Sequence, residues 1–375
     1  MDLLDLRSKA LPFKELYYLC FIMILNGLAS AGFTSEDWFY KVMFVIALIM
    51  FCLKMLTTNF NLREYIWMSL IAVILVICLY RNQEKTLILS MLGIFGCKDI
   101  PVKKVIKYAL YSKLFLTIIA VSFSALGIIT NEAIELPKGG EIFILHCYGY
   151  YSPNTLFANL FLVCVMVIAV YQRQIKLWGY MGLTLFLYIA YKVLMCRTGL
   201  VVWVFFLGMI GIYSVVKNVR LRRCYLFLII MLPVICTILT FGITMLYENG
   251  NAIGVKLDAL LTGRIAHISR FLPQIGKITV FGHIPREPFD SMYVHLYFNY
   301  GIVLFTIFIV GYIYTMYYAW KKGRDFELII LGVMSVYGFM EQFPLNITWN
   351  LFLLYMSWIL FKRNDINRGD VLNVK

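Results

Sequence analysis

The chain has 375 residues, 62% of them hydrophobic and only 14% charged, with a net charge of +14. So apolar a composition excludes a soluble globular domain, and with it the nucleic-acid partner that a basic soluble protein would invite. The sequence is that of a polytopic membrane protein, all-α because a helix satisfies its own backbone groups within hydrocarbon.

In chain order, about twelve apolar runs read as membrane spans: 15–31, 38–56, 65–80, 86–97, 106–129, 154–171, 177–195, 199–216, 225–246, 292–318, 326–343 and 348–361. Twelve crossings put both termini on one side. The clusters Lys98, Lys103, Lys104, Lys107 and Lys217, Arg220, Arg222, Arg223 fall on that side, which the positive-inside rule makes cytoplasmic. Residues 98–107, with Pro101, read as a short basic helix on the inner leaflet. Trp38, Trp67, Trp178, Trp320 and Trp358 lie near span ends, where indole suits the interface. None of the nine cysteines forms a CxxC pair, and only Cys147 and Cys196 come near the outer face, where a disulfide between them is one option. No zinc-site spacing, Walker loop or dinucleotide fingerprint is present, so neither a metal nor a cofactor is expected.

The chain reads as one membrane domain, 1–375, with two outer loops of note, 130–153 and 247–290. The longer carries Lys256, Arg264, His267, Arg270, Lys277, His283 and Arg286 beside Asp258, Glu287 and Asp290. Leu257, Leu261, Ile265, Ile268 and Leu272 recur at helical spacing, which predicts an amphipathic helix near 256–275 on the outer membrane surface, weakened at Gly263. Arg264, His267 and Arg270, three apart, share its other face. Two guanidiniums and an imidazole suit a phosphate or pyrophosphate, and equally the heads of anionic phospholipids. Arg197, in the tight hairpin Cys196-Arg197-Thr198-Gly199, is a second anion ligand or a snorkelling side chain, and Lys192 is open to the same two readings. Glu287, Asp290, His283 and His267 are rival bases, and Asp290 is also placed to cap the span that follows. Tyr148, Tyr150, Tyr151 and Tyr293 suit an interfacial aromatic belt.

Three groups of residues occur in order: Gly149-Tyr150-Tyr151-Ser152-Pro153-Asn154; Arg197-Thr198-Gly199; and Thr262-Gly263-Arg264, Phe281-Gly282, Asp290-Ser291-Met292-Tyr293 and Gly301-Ile302. Together they resemble the motifs of the Wzy-type polysaccharide polymerases and, more distantly, of the O-antigen ligases. Cys196 stands where the family has serine and His146 where many relatives have arginine; no aromatic residue lies between His267 and Arg270. Asp290-Ser291, in place of a histidine and asparagine, favours polymerase over ligase.

The resemblance implies a GT-C-like membrane glycosyltransferase of the bacterial cytoplasmic membrane, working on its outer face without a nucleotide sugar. It would move a growing glycan, by inverting transfer, from undecaprenyl pyrophosphate to a new lipid-linked repeat. A chain-length regulator and a flippase would be partners in the same pathway. Arg197, Arg264 and Arg270, with His267 and Lys192, would hold the pyrophosphate; Asp290, Glu287 or His283 would be the base; Tyr150, Asn154 and Tyr293 would meet the glycan. A ligase acting on finished polymer is one rival. A lipid-linked oligosaccharide flippase is another, disfavoured because charge within the spans is nearly confined to Lys113, Lys192 and Glu341.

Overall fold

The computed structural model describes the backbone of residues 3–30, 37–138, 141–271, 273, 277–283 and 287–361, with side chains from residue 13 onward apart from 136–143. The first half holds α1 (Leu3–Ser30), α2 (Trp38–Leu56), α3 (Leu62–Asn82), α4 (Thr86–Gly96) and α5 (Val102–Ala125). After a β-hairpin come α6 (Pro153–Tyr171), α7 (Leu177–Leu194), α8 (Arg197–Val215) and α9 (Val219–Glu248). The short α10 (Ala252–Leu260) and α11 (Arg264–Ser269) precede α12 (Met292–Lys321), α13 (Asp325–Met340) and α14 (Ser357–Leu360). Among the described residues, eight helices are long and apolar enough to cross a membrane: α2, α3, α5, α6, α7, α8, α9 and α12. The protein is therefore an all-α, multi-pass membrane protein in its main features.

Local sequence explains several helix starts. Pro153 sits in the first turn of α6, where its missing N–H is no loss, and Ser152 Oγ accepts from Thr155 N at 3.2 Å. Glu64 Oε2 accepts from Asn61 N at 2.7 Å at the start of α3. The centre of the bundle is α6 and α13. Leu328, Ile329, Ile330, Leu331 and Val333 follow one another in α13, all fully buried, as expected of a helix that is apolar all round. By contrast α2, α3 and α7 expose large apolar side chains such as Val45, Leu70 and Leu185, which suits helices facing lipid.

The structure departs from the sequence reading in several places. Residues 98–107 do not form a separate surface helix: α5 begins at Val102, so Lys103, Lys104 and Lys107 occupy its first turns. Lys98 instead pairs with Glu64 and lies over the Phe60 ring, 4.8 Å from its centroid. Residues 348–361 form not one span but a turn, a 3-10 stretch (Leu351–Met356) and the four-residue α14, buried among other helices. The first outer loop contains an antiparallel hairpin, β1 (Ala133–Lys138) with β2 (Glu141–His146), pairing Ala133 with His146. Cys147 and Cys196 are both free thiols.

The amphipathic helix predicted near 256–275 is two helices. Thr262 and Gly263 between them take positive φ, 60° and 80°, and this breaks the helix where the sequence is weakest. Leu272 and Arg286 lie outside the described residues. A second break falls within α12, where Gly301 has φ 80° and ψ 173°. The segment 279–283 packs against that break. Ile302 N donates to Thr279 O at 2.9 Å and His283 N to Phe298 O at 2.9 Å, satisfying backbone groups the helix has released. Contact is so close that a Cβ on Gly301 would strike Val280 O and the Phe281 and Gly282 amides, and one on Gly282 would strike Asn299 O. The four motif residues Phe281-Gly282 and Gly301-Ile302 thus form one backbone crossing.

Candidate functional site

Gly263 redirects the chain so that α11 starts with Arg264. Ile265 and Ile268 of this short helix are buried, Ile268 in an apolar cluster with Phe289, and the Arg264 side chain turns toward the bundle. Its Nε lies 3.2 Å from Asp290 Oδ2, its Nη2 donates to Glu341 Oε1 at 2.8 Å, and its Nη1 donates to Met340 O. Burial works against the guanidinium charge, but Glu341 and Asp290 outweigh it and hold its pKa above the ordinary value. The three ionic side chains are unequally covered: Arg264 is 17% exposed, Glu341 20% and Asp290 53%. Asp258 supports the arrangement by accepting from Ala266 N at 2.9 Å, which ties α10 to α11.

The Arg197 hairpin reaches the same region. Cys196, immediately before α8, lies within electrostatic range of Glu341 and Arg264. Gly199 admits the Phe157 ring and the Tyr337 hydroxyl where a side chain would clash, so the start of α8 seats against α6 and α13. The Arg197 side chain is exposed and has no polar partner among the described residues.

A second polar group lies on the other side of the loop exit and is enclosed. His295 Nε2 is 2.9 Å from Glu84 Oε1, and Asn299 Nδ2 is 3.1 Å from His295 Nδ1. Asn299 also clamps the Glu287 backbone, accepting from its N at 3.1 Å and donating to its O at 2.8 Å. That clamp fixes the amide orientation, so Nδ2 donates to a bare Nδ1 and the imidazole hydrogen sits on Nε2, donated to Glu84. Asn82 Nδ2 completes the group by donating to Asn299 O.

The other predicted site residues divide. Arg264, His267 and Arg270 do not present one ligand face. Arg264 points inward, His267 lies between the Phe271 and Phe289 rings at 5.6 and 5.8 Å, and Arg270 is exposed. Lys192 is exposed, with its Nζ 5.4 Å from the centroid of the Tyr188 ring. His283 stacks on Phe298 at 4.5 Å with Nε2 3.2 Å from Lys277 O, and burial lowers its pKa. Glu287 is half-buried and Asn154 is exposed.

Two predicted sugar contacts are core residues. Tyr293 is fully buried and donates to Ser335 O at 2.9 Å. Tyr150, 4% exposed, donates to Ser30 O and accepts from Asn159 Nδ2 at 3.0 Å. Asn159 Oδ1 in turn receives Lys113 Nζ at 2.6 Å. A ring whose hydroxyl is committed inside the bundle offers no face to a sugar.

Sequence reading did not assign roles to Glu84, His295, Asn299 and Glu341. The signal was present: Glu84 stands in the five-residue connection 81–85 between apolar runs, His295 and Asn299 are four apart on one span face, and Glu341 interrupts an apolar stretch.

No family model, curated protein or solved structure matches this chain. The geometry itself joins two of the segments singled out in the sequence: the arginine of Thr262-Gly263-Arg264 meets the aspartate of Asp290-Ser291-Met292-Tyr293.

Proposed function

We propose that this protein is a Wzy-type polymerase of lipid-linked polysaccharide repeats, acting on the outer face of a bacterial cytoplasmic membrane. The observation that carries the reading is the ion pair between Arg264 and Asp290, two motif residues 26 positions apart, beside a hairpin that carries Arg197. Twelve crossings with cytoplasmic termini and a GT-C-like arrangement belong to the same proposal. It rests on the basic-residue bias and on α1, α4 and α13, which add to the eight long helices, with the broken, protein-buried segment 348–361 as the twelfth crossing.

In this reading the acceptor sugar hydroxyl attacks the anomeric carbon of the growing glycan. The bond from that carbon to the pyrophosphate oxygen breaks, and the polyprenyl pyrophosphate leaves with the electron pair. Arg264 stands occupied by two carboxylates, so an incoming pyrophosphate must displace one. Asp290, more than half exposed, is the one that yields, while Glu341 keeps the guanidinium aimed. The freed Asp290 carboxylate then lies beside the reacting centre and takes the hydroxyl proton, with Glu287 as the nearest alternative in the chain. Arg264 and Arg197 stabilise charge on the departing pyrophosphate, the kind of contact whose loss costs about 10²- to 10³-fold in rate. His283 is less suited as the base, because its ring is stacked on Phe298 and its Nε2 faces a carbonyl.

The test is the size distribution of lipid-linked and surface glycans in cells lacking the gene, and in cells carrying Arg264→Ala at normal expression. Loss of the long-chain ladder with single repeats accumulating on the outer face is the expected result. Intact long chains stranded on the lipid carrier would mean a ligase, and repeats trapped on the inner face would mean a flippase. An unchanged ladder in both strains would remove the proposal.

A further inference from the structure

At the end of the bundle opposite the Arg264 site, α9 and α12 leave a cavity of about 340 Å³ between them. Its walls are hydrocarbon and aromatic rings, among them Phe227, Ile230, Val310, Tyr314, Tyr317 and Trp320. Both helices carry the lined face on to a cation at the same end. Arg223 is one helical turn before Phe227 and two before Ile230; Lys321 is one turn after Tyr317 and two after Tyr314.

Three basic residues around this end are otherwise engaged. Arg222 donates to Asp325 Oδ2 at 2.9 Å and stacks on the Tyr213 ring at 4.2 Å. Arg324 lies over the Trp358 ring at 4.6 Å, and Lys322 over Tyr318 at 5.5 Å. Arg223 and Lys321 are exposed and have no acidic partner among the described residues. Arg223 and Lys321 are the cations one helical turn from the groove lining on the lined faces of the two helices, with Arg220, also exposed, one turn farther out. An apolar slot between membrane helices with two such cations at its mouth is complementary to one kind of molecule, an acyl chain ending in an anionic phosphodiester. Unlike the outer site, it needs no reaction to explain it, and it is independent of the proposed polymerase activity.

We propose that the groove between α9 and α12 binds an anionic glycerophospholipid, one acyl chain lying along Phe227, Ile230, Val310 and Tyr314 and the phosphate held by Arg223 and Lys321. Full-length protein in detergent, titrated with phosphatidylglycerol or phosphatidylcholine and read by native mass spectrometry, tests this. The expected result is one phosphatidylglycerol retained roughly thirtyfold more tightly than phosphatidylcholine, the preference two surface cations supply. Arg223→Gln with Lys321→Gln should abolish that preference. Val310→Trp, which fills the groove, should weaken both lipids, and Lys217→Gln, off the groove, should change neither. Equal retention of the two lipids by the unaltered protein, or a preference that survives the double substitution, would mean annular lipid only and overturn the proposal. Arg223→Gln alone, at an exposed position, gives the same reading at reduced size if the double variant does not fold.

Discussion

Two polar clusters flank the exit of the long loop, built from similar residues but in opposite states. Glu84, His295 and Asn299 are at most 2% exposed and linked in series, so every change of partner would have to happen in the dark of the core. Arg264, Glu341 and Asp290 are also linked, but the Asp290 carboxylate is half in solvent and can exchange its partner for water or an anion. The difference teaches that an ionisable residue near the membrane surface is not functional by type. An enclosed network holds shape, because breaking it leaves a buried group unpaired; an open one can do work.

The comparison is broken most severely at His295. His295→Leu leaves the Glu84 carboxylate buried without its imidazole partner and should lower stability by about 3 kcal/mol or more. Thermal unfolding of the detergent-purified protein measures this, and an unchanged midpoint would show that the enclosed chain is not a clamp. Next are the glycines. Gly301 and Gly263 share φ 80°, but only Gly301 faces backbone across the gap. Gly301→Ala should cost about 3 kcal/mol and Gly263→Ala about 1 kcal/mol, so equal losses in the same assay would contradict the close crossing.

Asp290→Asn sharpens the contrast from the other side. An exposed ion pair contributes at most about 1 kcal/mol, so this variant should unfold nearly as the parent does while its glycan ladder collapses to single repeats. A large fall in stability would make Asp290 structural instead. The smallest effect is expected at His283. Burial holds its pKa below the ordinary 6.5, so the folded protein favours the neutral ring and the unfolded chain takes up a proton first as pH falls. Its contribution is complete above that ordinary value and lost as pH drops through the lower folded one. His283→Phe keeps the stack on Phe298 without the titration, and melting midpoints between pH 7 and 5 should therefore fall less steeply than in the parent.

Much of the fold could be read from the chain because spans depend on local composition. The runs at 38–56 and 154–171 match helices Trp38–Leu56 and Pro153–Tyr171 almost to the residue. The run at 348–361 misled, because an apolar segment buried in protein has the same composition as one buried in lipid, and its 3-10 geometry leaves no trace in hydropathy. The site was legible only in part. Arg264 and Asp290 carry motif positions, but their third partner, Glu341, lies 77 positions from Arg264, and its one local mark, a charge in an apolar stretch, does not say what it pairs with. Tyr150 and Tyr293 pointed the wrong way, since a tyrosine in an apolar run reads alike whether its hydroxyl meets water or a carbonyl such as Ser335 O.

The sequence by itself determined that this is a helical, multi-pass membrane protein, where its helices weaken, and which loop gathers cations beside carboxylates. These follow from hydrophobicity and backbone propensity, which act over a few neighbouring residues. Tertiary structure alone decided that Arg264 meets Asp290 and Glu341, that His295 is locked to Glu84, and that Arg223 and Lys321 head one groove. Each of those facts depends on which helices pack side by side, and packing is set by the shape of whole faces, which no short stretch of sequence contains.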